Sequence, residues 1–398
     1  MIKSIKLTNF LSFGADGSDI ELKPLNIIIG RNGTGKSNFI EAVDLLRNAP
    51  SAMTTPIRGG GGVTDWLHKA DKGRSATMEF VVENRAEISR QNFPDLRYCI
   101  TFAEEQQRFT ILDEKITSTS IKPGYEKPYL FYDYGNGHPV LNIKDGSEKD
   151  AYYERRLSRE DISPELSILK QRHDPESYPE ISSLAKELMK IKIYRDWSLG
   201  RDTPVRKPIS VDLPNDAIDD NCSNLPLVLN QLEYLGNKPE LIGKLKLFYK
   251  DIEDYTVAFN GGTAQLFFRE NGLNVLVPAT RLSDGTLRYL ILLCILLHPS
   301  PPPVICIDEP ELGLHPDILP TVGRLLEQAS ERCQLIVTTH SPTLVDSLSH
   351  SPESVLIAEK NNAKTTLSRL DRDDLSPWLE RYRLGELWSR GDIGGNIW

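Results

Sequence analysis

Apolar and polar positions alternate over residues 1–7 as in a half-buried strand, and the mainly apolar run 25–29 reads as a buried strand. A helical period takes over at 38–47, so strand, loop and helix follow in that order. Short β-like runs at 76–82, 98–102, 109–112 and 129–132, punctuated by Gly and Pro, predict an antiparallel lobe. From about Pro164 the pattern turns helical, over 165–171 and 179–191 with Asp174 and Pro175 between them, and again over 225–249. The apolar run 287–297 follows Ser283, which stands where a helix N-cap should, and the runs 304–307 and 334–337 read as buried strands. The expected class is α/β with a mixed sheet, an antiparallel β lobe and a helical insertion. Its expected parts are residues 1–160, the insertion 161–250, and 251–398.

The loop after the second strand is Gly30-Arg31-Asn32-Gly33-Thr34-Gly35-Lys36-Ser37. Glycines let backbone N–H groups turn toward phosphates, the lysine reaches the β and γ oxygens, and the Ser37 hydroxyl can hold Mg²⁺. Asn32, Gly33, Gly35, Lys36 and Ser37 are therefore the expected nucleotide-binding residues. The 304–307 strand ends in Asp308 and Glu309, where Asp308 is expected to order Mg²⁺ and Glu309 to polarise the attacking water. His340 stands at the C-terminal end of another strand, where ligands of open α/β sheets collect.

Gly-x-x-x-x-Gly-Lys-Ser, then Leu-Ser-Asp-Gly, then Asp-Glu-Pro-Glu-x-x-Leu-His-Pro, then Thr-His-Ser-Pro resembles the ABC-type P-loop ATPases of the SMC, RecF and OLD group, most of all their compact AAA-like bacterial members. The resemblance covers about residues 1–60 and 275–345. It implies that Ser283 and Gly285 close over the γ-phosphate held by another copy, so that a homodimer or higher oligomer encloses two ATP. It also implies that His340 senses the γ-phosphate. Many such members sit in defence modules, which points to control of a separately encoded effector, a nuclease among the candidates. The alternatives are a slowly hydrolysing scaffold that restrains an effector, and a genome-maintenance ATPase.

Two departures stand out. Asp284 occupies the place of a commoner second glycine, with Arg281 and Arg288 expected to offset its charge. The interval that ordinarily carries a Mg²⁺-coupling glutamine reads 56–68 without one; Arg58, Asp65 and His68 are the candidate substitutes, beside the plainer reading of a solvated hinge. His315 is either a subunit contact or a helix-entry residue before Pro316.

Composition narrows the partners. A net charge of −9 over 398 residues argues against a wholly basic nucleic-acid binder, so nucleic-acid contact needs a local patch. The candidate patch is Tyr194, Arg195, Asp196 and Trp197, with Arg201, Arg206 and Lys207. Five cysteines without metal-ligand spacing read as reduced packing residues of a cytoplasmic protein, and no apolar run is long enough to span a membrane. The Asp371-Arg372-Asp373-Asp374 cluster reads as a solvated turn, and the segment after His340 is too short for a nuclease domain. Tyr382, Leu384, Leu387, Trp388 and Trp398 are apolar anchors that either dock on their own chain or offer a partner surface.

Overall fold

The computed structural model describes residues 1–70, 75–86, 93–121, 126–135, 138–144, 152–195 and 197–395. Asp196 and Trp398 thus lie outside the described residues. The chain forms two compact units, each assembled from separate stretches. The first comprises Met1–Lys23, Gly30–Ile191 and Leu356–Arg369; the second comprises Pro24–Ile29, Lys192–Val355 and Leu370–Trp398.

The first unit holds an antiparallel sheet in the order Ser18–Glu21, Ile2–Thr8, Ser75–Glu83, Asp95–Glu105, Arg108–Ser118, Leu130–Gly135, His138–Lys144, Tyr152–Arg156. Residues 75–83 alternate strictly between buried and half-buried, because successive side chains of a strand point to opposite faces. That alternation makes the first four runs of the lobe visible in sequence; the last two strands, His138–Lys144 and Tyr152–Arg156, are additions to the expected lobe. Helix Lys36–Asn48 turns Phe39, Ile40, Val43 and Leu46 inward, and helix Pro179–Met189 packs against it.

The second unit is built on four parallel strands in the order Lys192–Tyr194, Val304–Asp308, Gln334–Thr338, Leu25–Ile29. Residues 25–29 and 334–338 are buried at every position, as parallel strands covered on both faces must be. Helix Asp284–Leu296 buries ten of its thirteen side chains, and helix Leu319–Ser330 packs on the strands beside it. In a small antiparallel sheet of the same unit, Thr263–Glu270 pairs with Ile252–Asn260 and with the short strands Ile209–Ser210 and Val277–Pro278.

Some boundaries differ from the expected ones. The helical pattern over 225–249 is two helices, Leu225–Tyr234 and Lys238–Phe248, because Gly236 between them takes φ +83, which ends a right-handed helix. The pattern over 165–171 yields a helix only at Ile168–Gln171, capped by the Ser167 hydroxyl.

Candidate nucleotide site

In the first unit the phosphate loop is held from beneath. Gly35 caps helix Lys36–Asn48 with φ +99, and a Cβ there would stand 2.4 Å from both Ser12 Oγ and Thr365 Oγ1. The Thr365 hydroxyl lies 2.7 Å from the Thr34 carbonyl and 2.7 Å from Ser12 Oγ. A hydroxyl has one proton and a carbonyl only accepts, so Thr365 donates to Thr34 and accepts from Ser12. Ser12 in turn accepts from Asn38 Nδ2 at 2.7 Å. Lys36 is buried and donates from Nζ to the carbonyls of Gly30 at 2.9 Å and Arg31 at 3.0 Å. Asn32, Gly33 and Ser37 are exposed. The helix carries no acidic residue in its first turn, leaving the positive end of its dipole uncancelled by side chains there.

In the second unit the carboxylates collect at the C-terminal ends of adjacent strands. Thr338 Oγ1 donates to Asp308 Oδ1. Glu309 leaves its strand in the left-handed region at φ +48, an uncommon place for a residue with a Cβ. Its amide donates to the Thr338 carbonyl at 3.1 Å, and its Oε1 lies 3.2 Å from His340 Nε2. Glu311 sets the far side of this cluster, accepting from Thr339 Oγ1 at 2.7 Å and from the His340 amide at 2.6 Å. Burial raises its carboxyl pKa above the ordinary range, and those two hydrogen bonds oppose the rise. Asp308, Glu309 and His340 are thus together, with Glu311 and Thr338 as supports, of which the sequence reading did not single out Thr338.

Ser283 is the N-cap of helix Asp284–Leu296, its hydroxyl accepting from the Thr286 amide at 3.1 Å. Gly285 is required sterically, since a Cβ would lie 2.6 Å from the Gly313 carbonyl. Asp284 has a hydrogen-bonded partner besides the flanking arginines. Arg206 meets its Oδ1 at 2.5 Å, whereas the Arg288 guanidinium lies 4.9 Å from the centroid of the Trp197 ring. That indole donates from Nε1 to the Asp308 carbonyl at 3.1 Å, and the Arg288 guanidinium still feels the charge of Asp284.

Other candidates also settle. Arg206 is 3% exposed and Tyr194 is buried, so neither is a surface platform for nucleic acid. His68 is buried with Nδ1 2.8 Å from the Leu11 carbonyl, and the short helices Thr54–Gly59 and Val63–Trp66 flank an exposed turn at Gly60 and Gly61, with Trp66 buried against Phe10. His315 caps the short helix Pro316–Ile318, accepting from the Asp317 amide. Trp388 is fully buried with Nε1 donating to the Gly395 carbonyl at 2.7 Å, and Leu384 and Leu387 are buried too. That overturns Trp388 as a partner surface. Asp371 caps helix Arg372–Leu379. All five cysteines are free, and among the described residues no three His, Cys, Asp or Glu gather as a metal group.

Residues 25–346 match the family AAA_21, described as "AAA domain, putative AbiEii toxin, Type IV TA system". The chain belongs to this family. It is an ABC-type ATPase of the SMC and RecF kind. Among its relatives, "Retron Vc95 probable ATPase" of Vibrio cholerae is 25% identical over 393 residues, covering 86% of this chain and 71% of that one. An "ATP/GTP phosphatase" of Helicobacter pylori is 24% identical over 94% of this chain and 93% of its own. In fold, the AAA_21 chain is similar to an SMC head solved with the winged-helix domain of ScpA, with TM-score 0.59, 14% identity, and coverage of 94% and 99%.

Proposed function

We propose that this ATPase binds MgATP between two copies of itself and uses hydrolysis to switch between closed and open assemblies. Lys36 and the backbone of Asn32, Gly33 and Gly35 take the phosphates. Ser37 and Asp308 hold Mg²⁺, which when bound neutralises charge on the phosphoryl oxygens. Neither needs to move far from ordinary chemistry, since a hydroxyl and a carboxylate are the hard oxygen donors Mg²⁺ prefers. Ser283 and Gly285 present a helix N-terminus to the γ-phosphate held by the other copy. The output is control of a separate effector protein in phage defence, a reading supported by the retron relative and by the family description.

The Glu309 and His340 pair carries the catalytic part of the proposal. A carboxylate fixed by a backbone turn and 3.2 Å from an imidazole can accept a hydrogen bond from water and orient it, while the imidazole answers to the charge of the γ-phosphate. Glu309→Gln should retain ATP binding and lose turnover by at least about tenfold to a hundredfold, the usual worth of general-base assistance. Steady-state phosphate release beside equilibrium nucleotide binding checks it. Turnover near wild type would move the role to another residue.

A further inference from the structure

Arg206 is remote in sequence from the segment around Ser283, yet three of its four hydrogen bonds serve that segment and its approach. Its Nε donates to the Leu199 carbonyl at 2.7 Å, Nη1 to the carbonyls of Ala279 at 2.9 Å and Leu282 at 2.7 Å, and Nη2 to Asp284. The pair is lopsided: the arginine side chain is 2% exposed and the aspartate 70%. A guanidinium buried this deeply is costly without a counter-charge, and Asp284 supplies it. Conversely, a bare carboxylate on the first residue of a helix stabilises that helix but opposes any anion approaching the same end. Arg201, Thr280 and Arg281 line the cleft of about 520 Å³ that opens beside the pair.

We infer that Arg206 is a positioning residue for the Ser283 segment, and that its pair with Asp284 is a charge-compensated clamp that sets how strongly a triphosphate is received there. The inference rests on the reading that Ser283 meets the γ-phosphate. The fork of the guanidinium holds the carbonyls of residues 279 and 282 while its charge cancels the aspartate, two tasks a lysine cannot combine because an ammonium has no planar fork. The clamp therefore keeps the loop fixed without making the helix end repel the nucleotide.

The test measures hydrolysis against MgATP concentration at low and high salt. Asp284→Asn takes the counter-charge from a buried guanidinium but leaves an amide oxygen that can still accept from it, so thermal unfolding is compared with wild type first. In the folded variant the half-saturating MgATP concentration should fall about threefold at low salt, the scale of one partly exposed charge, with less effect at high salt. Arg206→Gln should raise that concentration, and adding Asp284→Asn to it should reverse most of the rise. An Asp284→Asn protein whose half-saturation matches wild type at both salts overturns the clamp, whatever becomes of Arg206→Gln. Ser283→Arg is run alongside. If it hydrolyses normally, the underlying reading of the site fails; if it is inactive while Asp284→Asn is unchanged, only the clamp fails.

Discussion

At the residue scale, the phosphate loop shows why a motif works only on a prepared surface. Gly35 is needed twice over, once for φ +99 and once because two hydroxyls occupy the place of a Cβ. Gly35→Ala must therefore push Ser12 and Thr365 apart and break the relay that ends on the Thr34 carbonyl. We expect ATP affinity to fall at least about tenfold, with a loss of stability of about 1–3 kcal/mol from the strained backbone. Isothermal titration and thermal unfolding of the same preparation check the two parts. Gly33→Ala has open space around its Cβ position and suffers only from φ +77, so its damage should be smaller.

At the element scale, a buried carboxylate joins the β lobe to the helical region. Glu114 on strand Arg108–Ser118 accepts from Tyr98 Oη at 2.8 Å, Ser167 Oγ at 2.5 Å and the Ile168 amide at 2.9 Å. Burial pushes its carboxyl up to about 7 against the opposing pull of those hydrogen bonds. A folded-state pKa raised above the unfolded value means that the native chain holds a proton that the unfolded chain has released. Between about pH 4.5 and 7 this group therefore costs stability progressively as pH rises, and the cost is complete above 7. Glu114→Gln sets an amide against the Ile168 N–H and should lower stability at low pH, yet its melting temperature should fall less steeply than wild type across that window. Parallel slopes for the two proteins would remove Glu114 as the source.

Those same elements show what sequence can and cannot carry. Leu25–Ile29, Val304–Asp308 and Gln334–Thr338 are legible because burial on both faces leaves a mainly apolar run, and the motif residues attached to them are contiguous in the chain. The hairpin of Ile252–Asn260 and Thr263–Glu270 escapes a reading by pattern although Gly261 and Gly262, both at positive φ, mark its turn; the outer half of its first strand is exposed and so lacks the apolar alternation. Thr365 and Ser12 are not legible at all, and Arg206 is legible only as part of a basic stretch and not in the role it has here. Each acts through a hydrogen bond to a segment tens to hundreds of positions away, and nothing in their own neighbourhoods marks that role.

For the whole molecule, the decisive question is whether ATP joins copies of the chain. Among the described residues no helix is long and apolar enough to cross a membrane. Ser283→Arg places a bulky cation at an exposed N-cap, so each chain should still bind ATP while ATP-dependent pairing and hydrolysis are lost. Light scattering with and without ATP, beside nucleotide binding, checks it; a variant that hydrolyses at full rate as a monomer would overturn the composite site. Mixed with Lys36→Ala, it should restore at most one working site per pair.

Helix Asp284–Leu296 starts at exposed Ser283 and then runs with its interior side chains enclosed by neighbours. A rod so confined has little freedom to bow, and thirteen residues span about 20 Å at 1.5 Å per residue. On the proposed reading that Ser283 meets a γ-phosphate, a shift imposed at its first turn would reach its last with little lost to bending. There it meets buried His298 and a stretch containing Pro299, Pro301, Pro302 and Pro303, whose ring-locked backbone absorbs little. In mechanical terms the helix is a stiff strut with a rigid fitting at its far end.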